Sequence, residues 1–263
     1  MTEGFLYQSI AFTKADSVAF LAFNRPASLN AIDVQMATEF LQISHEIAND
    51  PSIRAIHISG VGRAFMAGGD VAYFQRDPES IAPAIIEPMH QALAILQSQN
   101  APILASVQGP VAGAGLSICL FADYCLAASD SVFNFAYTKL AVSGDLGVTW
   151  SLPRIVGLRK ALEIALMSKP LTANEALANG LVNAVIEPEE MQAMTKKILS
   201  SWSQGPTTAF GNIRRLIRSA TEHEFSEHLN HEMKLFEQAT STNDFRGAVD
   251  AFLNKSRATF TGK

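Results

Sequence analysis

An α/β fold, a core of repeated strand–helix units followed by a purely helical tail, is predicted by three observations. Short β-branched or apolar runs alternate with helical patterns up to about residue 200, which implies βαβ-type units with right-handed crossovers. From Pro206 onward the chain reads as helix only, with no strand candidate. The 263 residues are 48% hydrophobic and 17% charged, which supplies a large core and excludes disorder, coiled coil and collagen. The organisation expected is therefore a core over residues 1–200 and a helical region over residues 201–263. A tail of that size would bury little surface alone, so it is expected to pack on the core or on a neighbouring subunit.

The elements follow in order. Strands are read at residues 18–23, 55–59, 103–107, 124–127 and 181–186, each a β-branched or apolar run. Between the first two, Met36, Phe40, Ile43 and Ile47 recur at steps of four, three and four, one buried stripe of a helix. A second helical stretch spans residues 81–96, with Ile81, Ile85, Met89 and Leu96 inward and His90 one residue off that stripe. Thr172-Ala-Asn-Glu175 is a capping box opening a short helix that Gly180 ends, just before the last strand.

Charge and missing motifs narrow the chemistry. A net charge of −5 gives no basic excess to neutralise a phosphate backbone, so nucleic acid is not an expected partner. The opening MTEGFLYQSI lacks a basic stretch followed by an apolar core, and the apolar region 110–128 is rich in Gly and Ala and carries Asp123. Two cysteines cannot make a disulfide framework. A soluble, cytoplasmic protein with no membrane partner is expected. No phosphate-binding G-x-x-x-x-G-K-[ST] occurs, Gly60-Val-Gly62-Arg-Ala-Phe65 lacks the third glycine of a dinucleotide fingerprint, and no G-x-S-x-G surrounds a serine. The pairs Glu224/His228 and Glu227/His231 are four apart but not in H-E-x-x-H spacing, and read as a solvated helix face. Cys119 and Cys125 have no nearby histidine and read as buried thiols, so no metal is expected.

Two segments carry the functional signal: Gly62-Arg-Ala-Phe-Met-Ala67-Gly68-Gly69-Asp70-Val71 and Gly109-Pro-Val-Ala-Gly113-Ala114-Gly115-Leu-Ser117. Each follows a strand. In the second, small residues open a helix, so unpaired N–H groups and the positive end of the dipole converge where a ligand can approach. In the first, Gly68 and Gly69 permit backbone conformations that other residues resist. One donor from each loop is what stabilising an enolate oxygen requires. Taken singly, each segment is weak evidence, since Gly-Ala clusters more often mean tight helix–sheet packing.

These segments, preceded by Asn24-Arg25-Pro26 with Leu29-Asn30-Ala31 and followed by Leu171-Thr-Ala-Asn-Glu-Ala-Leu-Ala-Asn-Gly180-Leu-Val, resemble the crotonase superfamily of enoyl-CoA hydratases and isomerases, from about residue 12 to Phe260-Thr-Gly-Lys263. The resemblance implies a crotonase-like ββα spiral core, a C-terminal helical trimerisation region, and a homotrimer or dimer of trimers. It implies an acyl-CoA thioester substrate whose carbonyl oxygen sits between the N–H groups of Gly69 and Ala114. Alanine replaces the usual glycine at the second position and still supplies the N–H. The CoA would run past Ala27, Leu29 and the residues Ala67, Gly68, Asp70 and Val71, with no cofactor beyond the CoA of the substrate itself.

The resemblance also bears on the reaction. Hydratases of the superfamily use two glutamates to position water, and the matching positions here are Ser117 and Tyr137, neither of which is a carboxylate. Asp145 is the next acid, flanked by Val142, Leu146 and Val148, an apolar setting that raises a carboxyl toward the working range of a general base. Read without the resemblance, an Asp in such a loop is a turn or cap residue. The stretch 133–157 and the C-terminal residues look most like the 1,2-epoxyphenylacetyl-CoA isomerase branch, which implies Asp145 as single acid/base, with Tyr137 against the substrate. His90 with Asp145 also matches the chlorobenzoyl-CoA dehalogenase branch, where aspartate is a nucleophile and histidine activates water. Against that, Tyr137 stands at a tryptophan position of the branch and Gly69 replaces a bulky residue. Three readings stay open: isomerase, hydrolase or dehalogenase, and a non-catalytic CoA-binding paralogue, with RNA binding opposed by the charge.

Overall fold

The computed structural model describes residues 7–262. The reading of the N-terminal segment therefore lies partly outside the described residues, at positions 1–6, as does Lys263 at the other end. The described chain enters on an antiparallel hairpin of β1 (Ile10–Ala15) and β2 (Val18–Phe23). Asp16 and Ser17 join them, both with positive φ, as a tight two-residue hairpin loop with the twist of its strands requires. β3 (Ala55–Gly60), β4 (Ile103–Val107), then, past a short β5 (Pro110–Ala112), β6 (Tyr124–Ala128) continue the chain. β7 (Val132–Asn134), β8 (Leu171–Thr172) and β9 (Ala184–Ile186) complete the strands. The main sheet has the order β1-β2-β3-β4-β6-β9, parallel from β2 to β9, and β5-β7-β8 form a second, smaller sheet.

A parallel sheet must be covered on both faces, and the alternation along β2 shows how. Ala19, Leu21 and Phe23 join the main core with the α1 (Val34–Ala48) stripe Met36, Phe40, Ile43 and Ile47. Val18 points the other way, into a smaller cluster with Ala55, Leu104 and Leu126, roofed by Leu199 of a late helix. α1 starts on Asp33, whose side chain accepts the Met36 N–H at 2.9 Å. α2 (Val71–Arg76) is short, and α3 (Glu87–Ser98) is entered through a widened turn at Ala82–Ile86 in which Glu87 N–H reaches back to Ala82. Pro88 explains that widening: it has no N–H, and its ring would crowd the carbonyl of residue 84 in a regular helix.

α4 (Ala114–Phe121) is buried along its whole length. α5 (Val148–Val156), α6 (Leu158–Met167) and the capped α7 (Ala173–Ala178) precede β9, with the Thr172/Glu175 box formed in both directions. α8 (Met191–Ser203) carries Leu199 and crosses residue 200, so the chain passes that point inside a helix packed on the sheet. α9 (Thr207–Ser219), α10 (Phe225–Thr240) and α11 (Asn243–Leu253) follow without a strand.

Four strands escaped the sequence reading. β1 is largely exposed, and β5, β7 and β8 have two or three residues each, too few to show a period. The strand expected over 181–186 begins at Ala184, because Leu181 and Val182 are buried in the loop that leaves Gly180.

Candidate active site

The site begins with Asn30, which is fully buried in a left-handed conformation, φ 58°. Its Oδ1 accepts the Arg25 N–H, and its Nδ2 donates to the carbonyls of Val61, Ala64 and Phe65. A side-chain amide that satisfies three carbonyls of another loop pins that loop. Ala67 donates to Leu29 O at 3.0 Å, Ile32 donates to Gly68 O, and Asp70 donates to Ile32 O, the last two at 2.9 Å. Gly69 lies between those last two bonds, so its own N–H faces away from Ile32.

The other donor loop meets this one backbone to backbone. Gly113, with φ +53°, is so close to Gly68 that a Cβ on it would touch the Gly68 Cα at 3.5 Å. Gly115 sits on Met66, where a Cβ would fall 2.4 Å from the carbonyl oxygen. Ala114 is the first residue of α4, so its N–H has no acceptor within the helix. The two amides singled out by the sequence thus stand on either side of a contact between two glycines.

The carboxylate arrives from the loop between β7 and α5. Ala136, Ala141, Gly144, Leu146 and Gly147 all have positive φ, a concentration of costly turns of the kind found at functional sites. Tyr137 OH donates to Asp145 Oδ1, and the Ser117 hydroxyl lies 2.8 Å from the same tyrosine oxygen. Tyr137 has one proton and gives it to the carboxylate, so Ser117 donates to Tyr137. The chain Ser117 to Tyr137 to Asp145 links this carboxylate to α4, one turn after Ala114.

Burial raises the Asp145 carboxyl, and the Tyr137 hydroxyl bond and the nearby His90 imidazole pull it partly back. The Tyr137 hydroxyl is pushed far up, first by burial and then by that carboxylate, so it stays protonated and remains a donor. Of the apolar flank expected around Asp145, Leu146 and Val148 are buried while Val142 is exposed. Asp145 does not cap α5: its N-cap is Gly147, and Asp145 contributes only its backbone oxygen, to Val148 N–H. His90 Nε2 accepts the Leu146 N–H at 3.0 Å.

Other expected positions fall as follows. Ala27 is exposed on the turn Pro26–Ser28 beside Leu29, and Val71 is exposed at the start of α2. Asp70 is already engaged: it caps α2 through Tyr73 N–H and pairs with Arg25 at 3.1 Å. Tyr137, expected against the substrate, is committed through its hydroxyl to Asp145. Sequence reading missed the pinning by Asn30, for which an Asn in a turn was the available signal. The Phe74 ring, whose packing the sequence does not fix, lies where a Cβ on Gly69 would come within 2.2 Å of it. Cys119 and Cys125 are free and buried, with sulfurs 3.2 Å apart. His223, His228 and His231 gather their rings on α10 and the turn before it, and among the described residues no group is arranged to hold a metal ion.

The Enoyl-CoA hydratase/isomerase family profile matches residues 13–263. The chain belongs to that family. A 1,2-epoxyphenylacetyl-CoA isomerase of Escherichia coli is 31% identical over 253 residues, covering 94% of this chain and 95% of that one. A trans-2-decenoyl-[acyl-carrier-protein] isomerase of Streptococcus mutans is 28% identical over 262 residues, covering 98% and 99%. The crystal structure of an enoyl-CoA hydratase from Polaromonas sp. JS666 superposes with a TM-score of 0.90 at 26% identity, covering 96% of this chain and all of that one. The enoyl-CoA hydratase/isomerase chain described here is thus an acyl-CoA enzyme with the crotonase-like α/β core and C-terminal helices. Among the described residues no helix is long and apolar enough to cross a membrane.

Proposed function

We propose that the protein is an enoyl-CoA double-bond isomerase with Asp145 as its single acid/base. The observation that carries the reading is the hydroxyl chain: Ser117 and Tyr137, at the two hydratase glutamate positions, are bonded to each other and lead to one half-buried carboxylate. The thioester carbonyl oxygen of a 3-enoyl-CoA would accept the Gly69 and Ala114 N–H groups. Asp145 would remove a proton from C2, the electron pair passing into the carbonyl to give a dienolate held by those donors, and return the proton to C4 as the double bond moves to C2–C3. No atom is gained or lost, so one carboxylate suffices and no activated water is needed. CoA would lie along Ala27, Leu29, Ala67, Gly68 and Val71, with no further cofactor.

The nucleophilic-aspartate reading needs a free imidazole nitrogen to activate water. Here the Nε2 lone pair is taken by the Leu146 N–H, and in the neutral ring the other nitrogen carries the proton, which favours the isomerase. We also propose a homotrimer or dimer of trimers assembled through residues 201–263. The exposed Phe225, Met233 and Phe236 on α10 and Phe252 and Leu253 on α11 support it, since a large apolar surface of this kind seeks a second copy. Light scattering at micromolar concentration is expected to give three or six chain masses, and a monomer contradicts the assembly.

Asp145→Asn tests the chemistry. General acid–base groups contribute about 10² to 10⁴ in rate, so turnover of 3-enoyl-CoAs should fall by that order with acyl-CoA affinity nearly unchanged. Release of free CoA by the unaltered enzyme, with 3-enoyl-CoAs left intact, overturns the reading.

A further inference from the structure

His90 lies on α3, exposed and one residue off its buried stripe, yet one of its ring nitrogens is fixed. It contacts neither Ser117 nor Tyr137, and its hydrogen bond goes to the peptide N–H of Leu146, immediately after Asp145. That peptide group is in an unusual place. Leu146 has φ +49° between Gly144 at +117° and Gly147 at +77°, and its side chain is only 3% exposed. A leucine rarely takes the left-handed conformation without something to hold it there.

The loop's other hydrogen bonds leave the Leu146 N–H untouched: Tyr137 OH donates to Asp145 Oδ1, Val148 N–H to the Asp145 carbonyl at 3.1 Å, and Trp150 and Ser151 N–H to the Gly147 carbonyl. On the His90 side, Leu93, Leu146 and Trp150 line a cavity of about 460 Å³. Without the imidazole, the Leu146 N–H would open into that cavity, and the turn could relax by rotating the peptide that carries the base.

We propose that His90 is a positioning residue whose Nε2, by accepting the Leu146 N–H, latches the left-handed turn that aims Asp145 at Tyr137 and the substrate. It takes no proton from the substrate and activates no water. The effect on rate rests on the isomerase reading above; the effect on the loop does not.

Two variants and two measurements test it. Glutamine places a side-chain oxygen close to where Nε2 stands and can accept the same N–H, whereas leucine cannot. His90→Leu is expected to lower kcat by about 10- to 100-fold, the scale of a base displaced by a fraction of an ångström to one ångström, with KM for the CoA ester nearly unchanged. His90→Gln should recover most of that loss. In the same proteins, deuterium uptake over residues 144–147 should rise in His90→Leu and stay near the original level in His90→Gln. Equal loss of activity in both variants with unchanged uptake makes His90 a chemical participant and overturns the proposal. Unchanged uptake in His90→Leu overturns it whatever the kinetics show. If 3-enoyl-CoAs prove not to be substrates, the isomerase reading fails, and the uptake comparison still decides whether the latch exists.

Discussion

At Asp145 two opposing influences meet, and under the proposed isomerase reading their balance sets the pH at which it works as a base. Burial lifts its carboxyl and the Tyr137 hydroxyl holds it down. Removing that hydroxyl in Tyr137→Phe leaves the lifting cause less opposed, so the carboxyl should ionise at a higher pH. Because the base acts only when ionised, the acid limb of the kcat/KM profile should move to higher pH, and a limb that stays in place or moves down contradicts the role given to Tyr137. The sequence singles out Asp145 because hydroxyl residues stand where carboxylates would be needed and one acid remains on the loop. Its partner was not. Tyr137 read as a residue facing substrate because a hydroxyl's acceptor depends on how a loop with five positive φ values folds back on α4. His90 was legible as a residue one place off the buried stripe and as a water-activating candidate beside Asp145, but its bond to the Leu146 N–H was not, for the same reason.

Among the elements, α1 and the Thr172 box were readable because their signals are local: a stripe within four turns, and two side chains three residues apart. Asn30 was not, since the carbonyls it binds lie 31 to 35 residues further along. The three strands of the small sheet are likewise specified by their neighbours rather than by their own few residues. The start of α4 is where an element-scale change should tell most. A methyl at Gly115 meets the Met66 carbonyl at 2.4 Å, a backbone atom that cannot swing aside. Gly115→Ala should therefore displace the N-terminus of α4, costing about 1–3 kcal/mol of stability, as overpacking does. Turnover should fall with it, checked by thermal melts alongside kinetics, and unaltered melting and rate would show that the contact is slack.

Across the whole molecule, the outer face of the sheet carries a second titrating centre far in role from catalysis. His57 on β3 is half-buried, with its Nε2 3.0 Å from Ser106 Oγ, and Ser106 is in turn 2.8 Å from Thr195 of α8. Burial lowers its pKa to about 4, while in the unfolded chain a histidine titrates near 6.5. Between those values the unfolded state binds a proton that the folded state refuses, so stability should fall as pH drops from about 6.5 to about 4, by up to about 3 kcal/mol. His57→Gln, which can still bond Ser106, should flatten that slope in denaturant titrations; a slope unchanged by the substitution would assign the acid sensitivity to other groups. The α/β class and the helical ending were legible at this scale from alternation and its cessation at Pro206. The passage of α8 across residue 200 was not, because a helix that roofs a sheet looks in sequence like one that leaves it.

The meeting of Gly68 and Gly113 has a practical consequence for anyone altering this enzyme. The spacing of the two proposed donor amides is set by main chain against main chain, with room for no more than a methyl group between the loops. Selection on side chains therefore has little purchase on the spacing of these two loops. What it can reshape is the periphery, above all the Phe74 ring lying against Gly69 and the exposed Leu140 and Val142 of the loop before Asp145. A library that varies these three positions and leaves both glycine loops untouched should change which acyl groups are accepted while the bond-making step is conserved.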